Sequence, residues 1–134
     1  MTETLTDEDK ATLKTAAHGA VTLVSVAYPQ MGAHSPGKIA SAGARVLSGA
    51  TGLTGQVINS KPYPKLPSGS TADMAAAVLP ALTDSMGILR KKAPGEVDNF
   101  RRIVEIAVAQ GADDDNAAQA EMISKVKAAL TAET

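Results

Sequence analysis

The sequence predicts an all-α fold: a compact bundle of about five amphipathic helices with one long Pro/Gly-containing connection. Three observations carry this reading. Apolar residues recur every three to four positions along most of the chain, and nowhere do they alternate as a strand ladder would. Capping and stop residues bracket those periodic runs. The hydrophobic fraction is 44% but the aromatic fraction only 2%, namely Tyr28, Tyr63 and Phe100. Small aliphatic side chains let helix axes approach closely. At 134 residues the chain has the length of one domain, so residues 1–134 read as a single unit.

The first helix spans about Asp7 to Tyr28. Thr6 is a suitable N-cap, and Asp7, Glu8 and Asp9 lie where the helix dipole favours negative charge. Leu13, Ala16, Ala20, Val24 and Ala27 form the inward face, and Lys14, His18, Thr22 and Ser25 the polar stripe opposite. Pro29 ends it. The second helix opens at Ser35-Pro36, with Ile39, Gly43, Val46 and Ala50 on one face and Gly52 as its stop. Residues 53–70 form the irregular connection, because Gly55, Pro62, Pro64, Pro67 and Gly69 forbid a continuous helix. A connection of that length is unusual where ~4–6 residues are typical.

The third helix spans about Thr71 to Lys92 on a stripe of Met74, Val78, Leu82, Met86 and Leu89. Pro80 falls on its polar side, with Asp73, Thr83, Asp84, Gly87 and Lys91. The fourth follows Ala93-Pro94-Gly95 and ends near Gly111, with Val97, Phe100, Val104, Ala107 and Val108 inward and pairs Asp98–Arg102 and Arg101–Glu105 outside. The fifth spans about Asn116 to Thr131, with Ala118, Met122, Val126, Ala129 and Leu130 inward and a Glu121–Lys125 pair outside. The last two helices read as a helical hairpin.

Composition excludes several function classes. The net charge is -1 with no basic block, which disfavours nucleic acid as a partner. There are no cysteines, so disulfides, thiolate metal sites and Cys nucleophiles are absent. The acidic start does not read as a signal peptide. The longest apolar stretch, Ala16 to Tyr28, is too short for a membrane span of roughly 20 residues, so the expected location is cytoplasmic.

No motif carries a recognisable chemistry. His18 has Lys14, Thr15, Val21 and Thr22 at helical spacing, no convergent ligand among them, and reads as an exposed surface histidine. His34 reads as a loop residue before a helix cap. Asp113-Asp114-Asp115-Asn116 is the strongest acidic cluster, and Asp113 and Asp115 are the only metal-ligand candidates, but the cluster lacks the calcium-loop pattern and suits a helix start. Gly49 to Gly55 lacks the Gly-Lys-Ser/Thr of a phosphate loop, and serines such as Ser70 and Ser85 have no elbow motif. No cofactor is expected.

Lys61-Pro62-Tyr63-Pro64-Lys65-Leu66-Pro67 favours extended geometry; Tyr63 and Leu66 read either as partner anchors or as a lid packed on the bundle, the latter preferred. Ile106 lies opposite the core face of the fourth helix beside Arg102, the mark of a central helix or of a partner surface.

Leu5-Thr6-Asp7-Glu8-Asp9, Thr12-Leu13, Ala27-Tyr28-Pro29-Gln30-Met31-Gly32, and Ala93-Pro94-Gly95-Glu96-Val97 leading to Phe100 carry a resemblance. Over its whole length the chain resembles a group of small bacterial all-helical proteins, loosely like the tellurite-resistance TerB-type bundles. That resemblance implies an all-helical fold. It departs at Gln110 to Asn116, short and acidic where such proteins often have a longer Gly-rich link. Metal binding of the TerB type does not carry over, because its acidic ligands match no positions here. The expected function is a non-enzymatic protein-interaction or structural module, self-associating as a homodimer or binding a protein partner, with Tyr63, Leu66, Arg102 and Ile106 as contact residues. The alternatives are a small-ligand or metal-binding bundle, or a hydrolase with His18 or Asp84 in a pocket.

Overall fold

A computed structural model describes residues 5–26, 43–60, 64, 66, 70–110 and 117–131. The fold is all-α, and no strand occurs among the described residues. Its helices are α1 (Asp7–Val26), α2 (residues 43–48), α3 (Gly52–Ile58), α4 (Thr71–Lys92), α5 (Val97–Ala109) and α6 (Ala117–Thr131). A 3-10 turn, Pro94–Glu96, leads into α5.

α1 and α4 form the central pair, and α3, α5 and α6 all pack on α1 as well. The pair sits close at Gly19, which is buried against Val78 of α4. A Cβ added at Gly19 would lie 2.6 Å from a Val78 methyl on α4. Both central helices start with reciprocal caps. Thr6 Oγ1 accepts from Asp9 N–H at 3.0 Å while Asp9 accepts from Thr6 N–H at 3.0 Å. Ser70 and Asp73 repeat the arrangement at α4. Each pair satisfies two backbone donors that a bare helix start would leave open. The Lys92 ammonium, in the last turn of α4, then clamps the Asp9 carboxylate at the first turn of α1. The Lys92 hydrogen bond, with the Thr6 contacts, holds the Asp9 carboxyl below the usual carboxylate range.

The α4 boundaries and its stripe of Met74, Val78, Leu82, Met86 and Leu89 are those expected, with Pro80 exposed. By length and composition α4, and not the stretch Ala16 to Tyr28, is the candidate membrane span among the described residues. Its buried stripe faces α1 and α6, the arrangement of a core helix. Val126 and Leu130 of α6 are buried as expected, and the Glu121–Lys125 pair forms at 3.7 Å. α6 packs chiefly on α4 and also touches α5, its partner in the expected hairpin. Thr83, assigned to the solvent side of α4, donates instead to Ala129 O of α6 at 3.0 Å. Asp98 pairs with Arg101 at 2.7 Å instead of Arg102.

Two expectations are corrected more deeply. The connection 53–70 is not irregular throughout, because residues 52–58 form α3. α2 ends at a turn on Gly49, whose N–H bonds back to Arg45 O and Val46 O. Gly52 therefore starts α3 instead of ending α2, at φ +76°, where glycine carries no steric penalty. The stripe of α1 assigned to solvent is also largely covered. Lys14 is only 5% exposed and His18 half-buried, because α1 is surrounded by other helices instead of lying at the surface. Tyr28, Pro29, His34, Ser35-Pro36 and the Asp113–Asn116 turn lie outside the described residues, as does Tyr63.

Candidate functional site

The most constructed part of the surface surrounds α3. A helix of seven residues is too short to persist on its own, and Thr51 at its N-cap makes no side-chain cap. Side chains from distant segments hold both ends instead. At the start, Glu96 Oε1 accepts from Thr54 N–H at 2.8 Å, and Asn99 Nδ2 donates to Thr51 O at 3.0 Å. At the end, His18 Nε2 lies 2.9 Å from Ile58 O, and a carbonyl only accepts, so Nε2 carries the hydrogen. Asn59 adds bonds from Nδ2 to Leu47 O at 2.9 Å and Gly55 O at 3.0 Å. A carboxylate thus sits at the positive end of the helix dipole and an imidazole N–H at the negative end.

Burial raises the Glu96 carboxyl. The Thr54 N–H, the Thr54 hydroxyl, the Asn99 amide and the Leu53 N–H outweigh it and hold the pKa below its ordinary value of 4.5. The Thr54 hydroxyl is buried near the carboxylate and completes no hydrogen bond of its own. A lowered folded pKa means the capping contribution is complete above about pH 4.5 and is lost as pH falls through the folded value. Glu96→Gln is expected to cost about 1–2 kcal/mol at pH 7. It should also make the loss of stability below pH 4.5 shallower than in the wild type, measured by urea denaturation across a pH series. Parallel acid limbs in the two proteins would refute the capping role.

His18 is the sequence candidate whose setting changes most. It was assigned to solvent, and it is half-buried against α3 and lines a cavity of about 270 Å³ with Val21, Thr22, Ala44, Leu47, Pro64 and Leu66. Leu66, weighed as a partner anchor, is half-buried, and its Cδ2 lies 3.5 Å from where a Gly19 Cβ would be. Asp84 is exposed and lines two adjoining clefts on the α1–α4 seam, of about 520 and 280 Å³, which share Glu8 and Thr12 with it. His18 and Asp84 occupy different clefts, so the two groups weighed for a hydrolase do not meet. Ser85 is buried and bonds Ala81 O at 2.7 Å, while Ser70 serves as a cap. Among the described residues no three His, Asp or Glu side chains are grouped to hold a metal ion; Asp113 and Asp115 lie outside them.

Ile106 is 44% exposed and Leu53 38%, the two exposed large apolar side chains among the described residues. They lie on α5 and α3, which touch. Ile106 lies seven residues, two turns, beyond Asn99, which bonds α3 through Thr51 O, so both are on one stripe of α5. Arg102 is exposed one turn away. No sequence signal singled out Glu96, Asn99 or Leu53, because the first two bond partners more than 40 positions away.

No protein-family model, curated protein or solved structure matches the chain.

Proposed function

We propose that this protein is a non-enzymatic interaction module that self-associates through the α3–α5 face. The observation that carries the reading is the exposure of Ile106 and Leu53 on neighbouring helices that are already bonded to each other. Single exposed apolar residues are ordinary, but two on one rigid joint favour a contact surface. The occupant is a second copy of the chain. Asp98, Arg102 and Ile106 follow one another at four-residue spacing on α5, which gives the stripe both signs of charge beside its apolar residue. A two-fold contact would then set Arg102 of each copy near the other's acidic position while Ile106 and Leu53 meet at the centre.

The expected result is a concentration-dependent dimer by light scattering. Ile106→Glu should raise its dissociation constant by about a hundredfold, the effect of a buried central residue replaced by a charge. Circular dichroism should be unchanged, since Ile106 does not belong to the core. A wild-type chain that stays monomeric up to the millimolar range, or a dimer indifferent to Ile106→Glu and Leu53→Asp, would overturn this reading.

A further inference from the structure

We propose that the cavity between α1, α2, Pro64 and Leu66 is a binding site for a small apolar molecule. Its walls come from three separate parts of the chain: His18, Val21 and Thr22 of α1, Ala44 and Leu47 at α2, and Pro64 and Leu66 beyond α3. The site therefore exists only when the whole bundle is assembled. Five of the seven described lining residues are apolar, and none of the seven is acidic, Lys or Arg.

The two polar lining residues are already bonded to protein. His18 Nε2 donates to Ile58 O at 2.9 Å, and Thr22 Oγ1 donates to His18 O at 3.1 Å. An apolar molecule seated on Val21, Leu47, Pro64 and Leu66 would remove their apolar surface from water. A charged ligand would lose its hydration and meet no countercharge among the described lining residues. Volume sets the size. A dry cavity of ~150 Å³ accommodates benzene, so about 270 Å³ has room for a bicyclic ring or a branched aliphatic of roughly ten heavy atoms. Ala44 is an exposed lining residue, so the cavity opens to the surface beside it. This site is independent of the α3–α5 face.

Indole is a suitable probe, followed by chemical shifts of the Val21, Leu47 and Leu66 methyl groups and of the His18 ring. Saturable shifts confined to these residues are expected, with a dissociation constant on the order of 1 mM or tighter. Ala44→Phe places a ring across the mouth from an exposed position and should weaken binding at least tenfold with helicity retained. Leu66→Ala removes one wall and should also weaken it, and it decides the matter if Ala44→Phe does not fold. Ile106→Glu should bind indole like the wild type, which separates this outcome from the fate of the dimer. Absence of saturable shifts at the cavity, or affinity unchanged in Ala44→Phe and Leu66→Ala, would overturn the proposal.

Discussion

Gly55→Ala is expected to destabilise the fold by about 2–3 kcal/mol, although alanine is the better helix former by about 1 kcal/mol. The two effects oppose each other, and distance decides which wins. A Cβ at residue 55 would lie 2.4 Å from both the carbonyl carbon and the oxygen of Ala50. These are backbone atoms of the turn between α2 and α3, so no rotamer change relieves the overlap. Either that turn moves or α3 shifts, and α3 is tied at both ends to Glu96 and His18. The turn's bonds from Gly49 N–H to Arg45 O and Ala50 N–H to Leu47 O would be strained with it. Equilibrium urea denaturation measures the loss. A neutral or stabilising Gly55→Ala would mean that α3 is not packed against the α2–α3 turn as described.

Gly55 also shows where sequence reasoning stops. A glycine in a run with nearby prolines reads as a helix breaker, and the segment was assigned accordingly to an irregular connection. Here Gly55 permits close backbone approach inside a helix, and the signal for that is the position of Ala50 in space, which no local pattern encodes. α4 was legible for the opposite reason. Its apolar stripe repeats over five turns, Pro80 falls on the exposed side, and Ala93-Pro94 ends it, so local chemistry and tertiary packing agree. The polar stripe of α1 was misread because amphipathicity locates a helix with one dry face. α1 is covered on several sides, and Lys14 and His18 are brought inside by neighbours invisible to helical spacing. Ile106 was found from the wheel alone, since its exposure depends only on α5 having a single core face. Glu96 and Asn99 could not be found so, because their partners lie on α3 and its N-cap.

The aromatic-poor composition makes Phe100→Ala the most damaging single truncation expected in this chain. Phe100 is 0% exposed and is the only aromatic residue of the buried core among the described residues, the other members being alanine, valine, leucine, isoleucine and methionine. It sits on the inward face of α5 with Ile103, Val104, Ala107 and Val108. Removing a buried phenyl ring costs about 3–5 kcal/mol, the lower end applying where neighbours collapse into the space. Collapse is restricted here. α1, which packs on α5, contributes Ala16, Ala17 and Ala20 to the core, and side chains that end at Cβ cannot reach into a vacated volume. The backbone is also held, since the start of α5 is tied to α3 through Glu96 and Asn99. The upper half of that range therefore applies, a large share of the ~5–15 kcal/mol that stabilises a domain. A fall in Tm of roughly 10–20 °C is expected by calorimetry. Phe100→Leu should cost less than half as much, because an aliphatic side chain fills most of the same space. If Phe100→Ala and Phe100→Leu proved equally mild, the ring would not be the centre of the core, and the assignment of α5's inward face would need to be redrawn.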